Sequence, residues 1–117
     1  MLFRSLLAKA SSGDPSVWPA MQALTAATLA GARALGLDAE IGSLVPGKQA
    51  DLIAVDLSGS NAEPCYDPVS HLVYAVGREA VTDAWVGGRR IVENRVLQTA
   101  DEAAIGASAR LWQERLK

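Results

Sequence analysis

Histidine and cysteine are nearly absent from this 117-residue sequence, which holds one of each, His71 and Cys65. One cysteine excludes an intramolecular disulfide framework and fits a reducing compartment, so a cytoplasmic chain is expected. One histidine excludes an imidazole-rich metal site within a single subunit, because a catalytic zinc takes about three protein ligands. Aromatics are scarce, with 3 Trp, 2 Tyr and 1 Phe, although 50% of the residues are hydrophobic. Alanine supplies much of that fraction, which predicts a shallow, Ala-rich core. Charge of one sign is also lacking: the net charge is −2, with acids and bases interspersed. That leaves no basic stripe for nucleic acid or for an anionic membrane. No apolar run approaches the ~20 residues of a membrane span. The opening MLFRSLLAKA is too short for a signal peptide and is interrupted by Arg4 and Ser5.

A chain of this length forms one compact domain or a piece of a larger one, burying roughly 60 to 70% of its unfolded surface. The segment Ile41–Asp56, IGSLVPGKQADLIAVD, joins a turn to a strand. Pro46 presets the second position of a type II turn, and Gly47 supplies the positive φ that its third position requires. Leu52, Ile53, Ala54 and Val55 are all apolar, so the strand is expected to be covered on both faces, with Asp51 and Asp56 at its solvated ends.

Helical periodicity predicts four further elements. Leu2, Phe3, Leu6, Leu7 and Ala10 share a face, which gives a helix over 2–10 before the Ser11–Pro15 break. It starts without a cap, as either a frayed terminus or a helix begun upstream of Met1 would. A second and longest helix is expected from Ser16–Pro19 to Gly36, its small residues Ala27, Ala30, Gly31 and Ala34 admitting a close neighbour. An interfacial membrane helix is the alternative there, but the clustered basic face is missing. Asp67 and Pro68 are placed to start a short helix. The capping-box pattern Thr99–Glu102 opens a C-terminal helix with Ile105, Ala109, Trp112 and Leu116 on one face. Between these helices, Ala80–Val86 and Arg89–Val92 flank Gly87-Gly88, a pair suited to a type I′ hairpin. The fold class is therefore α+β.

The chemically tempting residues each have an ordinary reading. His71 is a structural histidine near a junction, since one ligand confers little metal affinity. Cys65 has no sequence-near cation or histidine to lower its pKa and is read as inert. Ser43 and Ser70 lack a nucleophile elbow, and one histidine could serve at most one of them. Asp51 and Asp56, five apart on a strand, fall on opposite faces rather than forming an acid/base pair. Arg89 and Arg90 could clamp an anion, but neighbours on a strand point to opposite sides. Gly42, Gly47, Gly87 and Gly88 serve turns, with no phosphate-cradling spacing. Trp18, Trp85 and Trp112 are expected to fill junctions between elements.

Four phrases, TAATLAGARALGL (25–37), IGSLVPGKQADLIAVD (41–56), DPVSHLVYA (67–75) and AWVGGRRIVENRVL (84–97), cover most of the chain. In order and spacing they resemble the C-terminal part of amidohydrolase-superfamily aminohydrolases. The nearest group is the 5-methylthioadenosine/S-adenosylhomocysteine deaminases, with their triazine chlorohydrolase and guanine deaminase relatives. The resemblance implies that residues 1–36 are the last helices of a (β/α)-barrel and that 37–117 form part of a composite β-sandwich domain. It also implies that the sheet is completed elsewhere, by a partner copy or by the missing barrel portion. In that family zinc or iron is held by an HxH pair, two more histidines and an aspartate, and it activates water against the amino-bearing carbon. All of these would lie upstream of Met1, so the resemblance assigns no catalytic, cofactor-binding or metal-binding residue to this chain. It implies a truncated or split deaminase, inactive alone and self-associating. The alternatives are a stand-alone oligomerisation or binding module, and a small hydrolase whose site forms across subunits.

Overall fold

The structure, a computed structural model, describes residues 2–116. Helix α1 spans Leu2–Ser12, and Gly13 ends it at φ 67°. The Ser11 and Ser12 hydroxyls carry it past the expected stop by donating back to the Ala8 carbonyl. The expected long helix is two helices, α2 (Ala20–Ala27) and α3 (Leu29–Ala34). Thr28 divides them with φ −120° and ψ −100°. Its hydroxyl donates to Leu24 O at 2.8 Å, an alternative to the helical ladder that a β-branched hydroxyl residue readily takes.

The break has a packing consequence. Gly42 lies against it with φ 87°, where a Cβ would stand 2.8 Å from Ala32 Cβ and 3.0 Å from Leu29 Cα. The following segment is closed by Lys48, whose ammonium donates to the carbonyls of Asp38 and Ile41. The Pro46-Gly47 turn forms as expected, with Lys48 N donating to Val45 O and Gly47 at φ 93°.

Strands β1 (Leu52–Val55), β2 (Val81–Val86), β3 (Arg89–Glu93) and β4 (Val96–Leu97) make one antiparallel sheet in sequence order. Ala84 pairs with both Ile53 and Val92, so β2 is interior and β1 is an outer strand. The Gly87-Gly88 turn is the expected hairpin, with both glycines at positive φ. The second turn, Asn94-Arg95, has positive φ at two non-glycine residues. Coverage of β1 on both faces does not hold: Ile53 is 54% exposed, because no described element lies over that side of the outer strand.

Helix α4 (Pro68–Ser70) begins where expected and continues into a π-helical turn, His71–Ala75. Asp67 caps it, accepting from the backbone N–H groups of Val69 and Ser70. Ala20 and Ala23 of α2 bury against Val73 of the π turn, with Val69 and Tyr74 beside them, so the core is small and alanine-rich as expected. The longest helix is α5 (Glu102–Arg115), not the one divided at Thr28. Asp101 rather than Thr99 is its N-cap, accepting from Ala103 N and Ala104 N at 2.9 and 3.0 Å. The described residues thus form helices plus an antiparallel sheet around little buried volume.

Candidate functional site

The polar side chains that could carry chemistry are spent on holding the backbone. His71 Nδ1 stands 3.1 Å from Asp67 O. The adjacent Ser70 hydroxyl donates to Asp67 Oδ2 at 2.5 Å, and that bond is the main reason the Asp67 carboxyl is held below its usual range. Serine, histidine and aspartate are thus neighbours, but their hydrogen bonds run to the helix cap and not from serine to histidine. Cys65 is exposed, beside Leu57, Glu63 and Pro64 in a shallow depression.

The acids flanking β1 do more than meet solvent. Asp51 accepts from Gly87 N at 2.6 Å and so ties the strand's start to the hairpin turn. Asp56 accepts from the Ser58 hydroxyl and backbone, which lower its carboxyl, and Arg95 reaches its other oxygen at 3.4 Å. They form no pair.

The densest polar cluster is one that sequence reasoning missed. Asp83, only 8% exposed on interior strand β2, accepts from Arg90 Nη2 at 2.6 Å, Arg90 Nε at 3.1 Å and Asn94 N at 3.0 Å. The Asn94 backbone bond is the largest influence holding its carboxyl below the usual range. Arg90 also bonds Glu93 and lies 5.5 Å from the centre of the Trp85 ring. Its guanidinium is therefore engaged within the hairpin. The signal in the sequence was an acid and an arginine on the two arms of one hairpin, Arg90 standing opposite Trp85, two residues beyond Asp83.

A second hub joins the helices. Ser5, fully buried, donates to Trp18 O at 2.7 Å and lies 2.9 Å from Tyr74 Oη. Trp18 reaches this position at φ 52°, an unusual conformation for a bulky residue. Trp18 is 38% exposed and Trp112 58%, so neither fills a junction; Trp85 is half-buried beneath Arg90.

A model of the amidohydrolase family matches residues 1–91. The chain belongs to the amidohydrolase family. It is 41% identical over 112 residues to the 5-methylthioadenosine/S-adenosylhomocysteine deaminase of Teredinibacter turnerae, covering 96% of this chain and 25% of that protein. The solved adenosine deaminase of Xanthomonas campestris, with bound zinc, superposes with a TM-score of 0.92 at 46% identity, over 96% of this chain and 26% of that one. Zinc-bound atrazine chlorohydrolase from Arthrobacter aurescens gives 0.72 at 28% identity, over 79% of this chain and 20% of that one. This amidohydrolase chain spans about a quarter of the length of the curated relatives it matches.

Both solved relatives carry zinc. Among the described residues, no group of three His, Cys, Asp or Glu side chains could hold a metal ion. With its one imidazole on the Asp67 carbonyl, the residues of this chain do not fit that metal. No described helix is long and apolar enough to cross a membrane.

Proposed function

We propose that this chain is the buttressing part of an aminohydrolase of the 5-methylthioadenosine/S-adenosylhomocysteine deaminase type. In this reading residues 1–36 close the wall of a catalytic barrel and residues 37–117 supply strands of its composite sandwich. The chemistry, zinc- or iron-dependent hydrolysis of a carbon–nitrogen bond, belongs to the remainder of the enzyme.

The observation that carries the reading is surface. The chain exposes 8439 Å², whereas a compact monomer of its mass exposes about 6,100 Å². The difference, about 2,300 Å², exceeds the roughly 800 Å² that one partner contributes to a standard protein–protein interface. Its radius of gyration is 17.9 Å, against about 13 Å for a compact domain of this length. Leu35 and Leu44, 73% exposed each, are among the residues a barrel would cover.

The test is complementation. The part of the T. turnerae deaminase that this chain does not match is produced separately and mixed with it, and deamination of 5-methylthioadenosine is followed. Turnover in the mixture and in neither component supports the proposal. Deamination by this chain alone, with stoichiometric zinc, overturns it. A second reading, a stand-alone binding module, draws on the outer strand β1, whose exposed Ile53 would suit an added strand. A discrete complex with an extended peptide, without uptake of the barrel portion, would favour that reading.

A further inference from the structure

We propose that Lys48 is a positioning residue: its ammonium locks the connector 37–49 and so sets the angle at which helices α1 to α3 meet the four-stranded sheet. The inference concerns this chain by itself and holds whether or not the chain buttresses a barrel.

Among the described residues, the main packed pairs of elements are helix with helix, helix with π turn, and strand with strand. Parts of a chain that share no large apolar interface move relative to one another by default. A fixed angle between helices and sheet therefore has to come from the segments that cross between them. The turn at 76–80 runs from the π turn, which packs on α2, into β2. A single attachment of that kind is a pivot. The loop 56–66 adds no hydrogen bond to the helices, because its bonds stay within the loop or return to Ala80 and Arg95.

The crossing from α3 to β1 is held at both ends by groups outside itself. Near its start, Gly42 seats against Ala32 and Leu29 of α3 so closely that no Cβ would fit. Past its end, the Ala50 carbonyl accepts from Gly88 N at 3.1 Å and the Asp51 carboxylate from Gly87 N at 2.6 Å, which ties the hairpin turn to it. Such a crossing transmits an orientation only if it is stiff. Lys48 supplies the stiffness: it reaches back across the Pro46-Gly47 turn to donate to Asp38 O, and to Ile41 O at 3.2 Å, in charge-assisted bonds. Gln49 repeats the tie, its N donating to Glu40 O at 2.8 Å and its Nε2 to Glu40 Oε2 at 3.1 Å. Lys48 is half-buried while Leu44 to Gly47 at the tip are exposed, so the loop is held from within.

Lys9 is the internal comparison. Its ammonium also bridges two loop carbonyls, Pro15 O at 2.5 Å and Val17 O at 2.9 Å, but that loop joins α1 to α2 and lies within the helical part. The chemistry is the same at both lysines, and only Lys48 stands on the path to the sheet. The consequence of the lock is preorganisation: helices and strands are presented as one rigid surface, and whatever binds across both is spared the cost of ordering them.

The experiment uses the full chain with Cys65→Ser, spin-labelled through Gln22→Cys in α2 and Arg89→Cys in β3, both exposed positions. Pulsed electron resonance then reads the distance between helices and sheet. The parent pair should give one narrow distance. Lys48→Met, which keeps the aliphatic stem and loses the ammonium, should replace it with a broad distribution while the amides of the β2–β3 hairpin stay protected from hydrogen exchange. Lys9→Met, which removes the matching clamp off the path, should keep the narrow distance. Should Lys48→Met lose the hairpin's protection, Asp51→Ala decides, since it frees the connector from Gly87 without touching Lys48 and should broaden the distance too. A parent distribution that is already broad overturns the proposal. So does a narrow distance that survives Lys48→Met or, where that variant does not fold, Asp51→Ala. A narrow distance that Lys9→Met abolishes equally overturns it as well.

Discussion

Ser5 Oγ lies 2.9 Å from Tyr74 Oη across 69 positions of sequence, and both hydroxyls face the Trp18 carbonyl, at 2.7 and 3.5 Å. Three separate segments thus share one buried polar point: α1, the turn before α2, and the π-helical turn. Ser5→Ala should cost about 1 kcal/mol, the net worth of a buried hydrogen bond, and lower Tm by about 5 °C. Tyr74→Phe should do the same. The double variant should cost less than the two singles together, because each single already breaks the shared contact. Thermal unfolding of the four proteins measures this, and strictly additive losses would refute the coupling.

Gly42 and Gly47 are both at positive φ, 87° and 93°, but only Gly42 has neighbours in the way. Its added methyl would meet Ala32 Cβ at 2.8 Å and the α3 backbone at 3.0 Å, contacts that cannot be relieved by moving a flexible side chain. Nothing lies within 4 Å at Gly47. Gly47→Ala should therefore cost about 1 kcal/mol from backbone strain alone. Gly42→Ala should cost about 2 kcal/mol or more, since a steric displacement adds to the strain. Urea midpoints of the two variants test the order; equal midpoints would show that the Thr28 break does not need the glycine.

What the sequence disclosed and what it hid follow from range of interaction. The Asp67 cap, the Pro46-Gly47 turn and the Gly87-Gly88 hairpin depend on a few adjacent residues, and each forms where those residues predict it. The break at Thr28 is packed by Gly42, fourteen positions later, a contact that periodicity within the helix does not record. The apolar run of β1 promised cover on both faces; apolarity records that a face is to be buried, not that this chain buries it. The same holds for the α5 stripe. Asp83 was invisible for a different reason: its partners Arg90 and Asn94 converge only once β3 and the turn after it are in register.

That convergence has a pH signature. Hydrogen bonds from Asn94 N, the Thr82 side chain and Arg90 depress the folded Asp83 pKa below its unfolded value of about 3.9. A depressed carboxylate contributes stability that is fully present above the unfolded pKa and is lost as pH falls through the folded one. Asp83→Asn removes that contribution while keeping the side chain's shape. Its Tm should lie clearly below that of the wild type near pH 7, and the gap should narrow once pH falls below about 4. Asp14, Asp56 and Asp67 are depressed as well and occur in both proteins, so both should lose stability in acid while only the difference reports Asp83. Melting curves from neutral to acidic pH supply the measurement. A gap that stays constant throughout would mean that Asp83 acts by packing alone and that its charge on Arg90 contributes nothing.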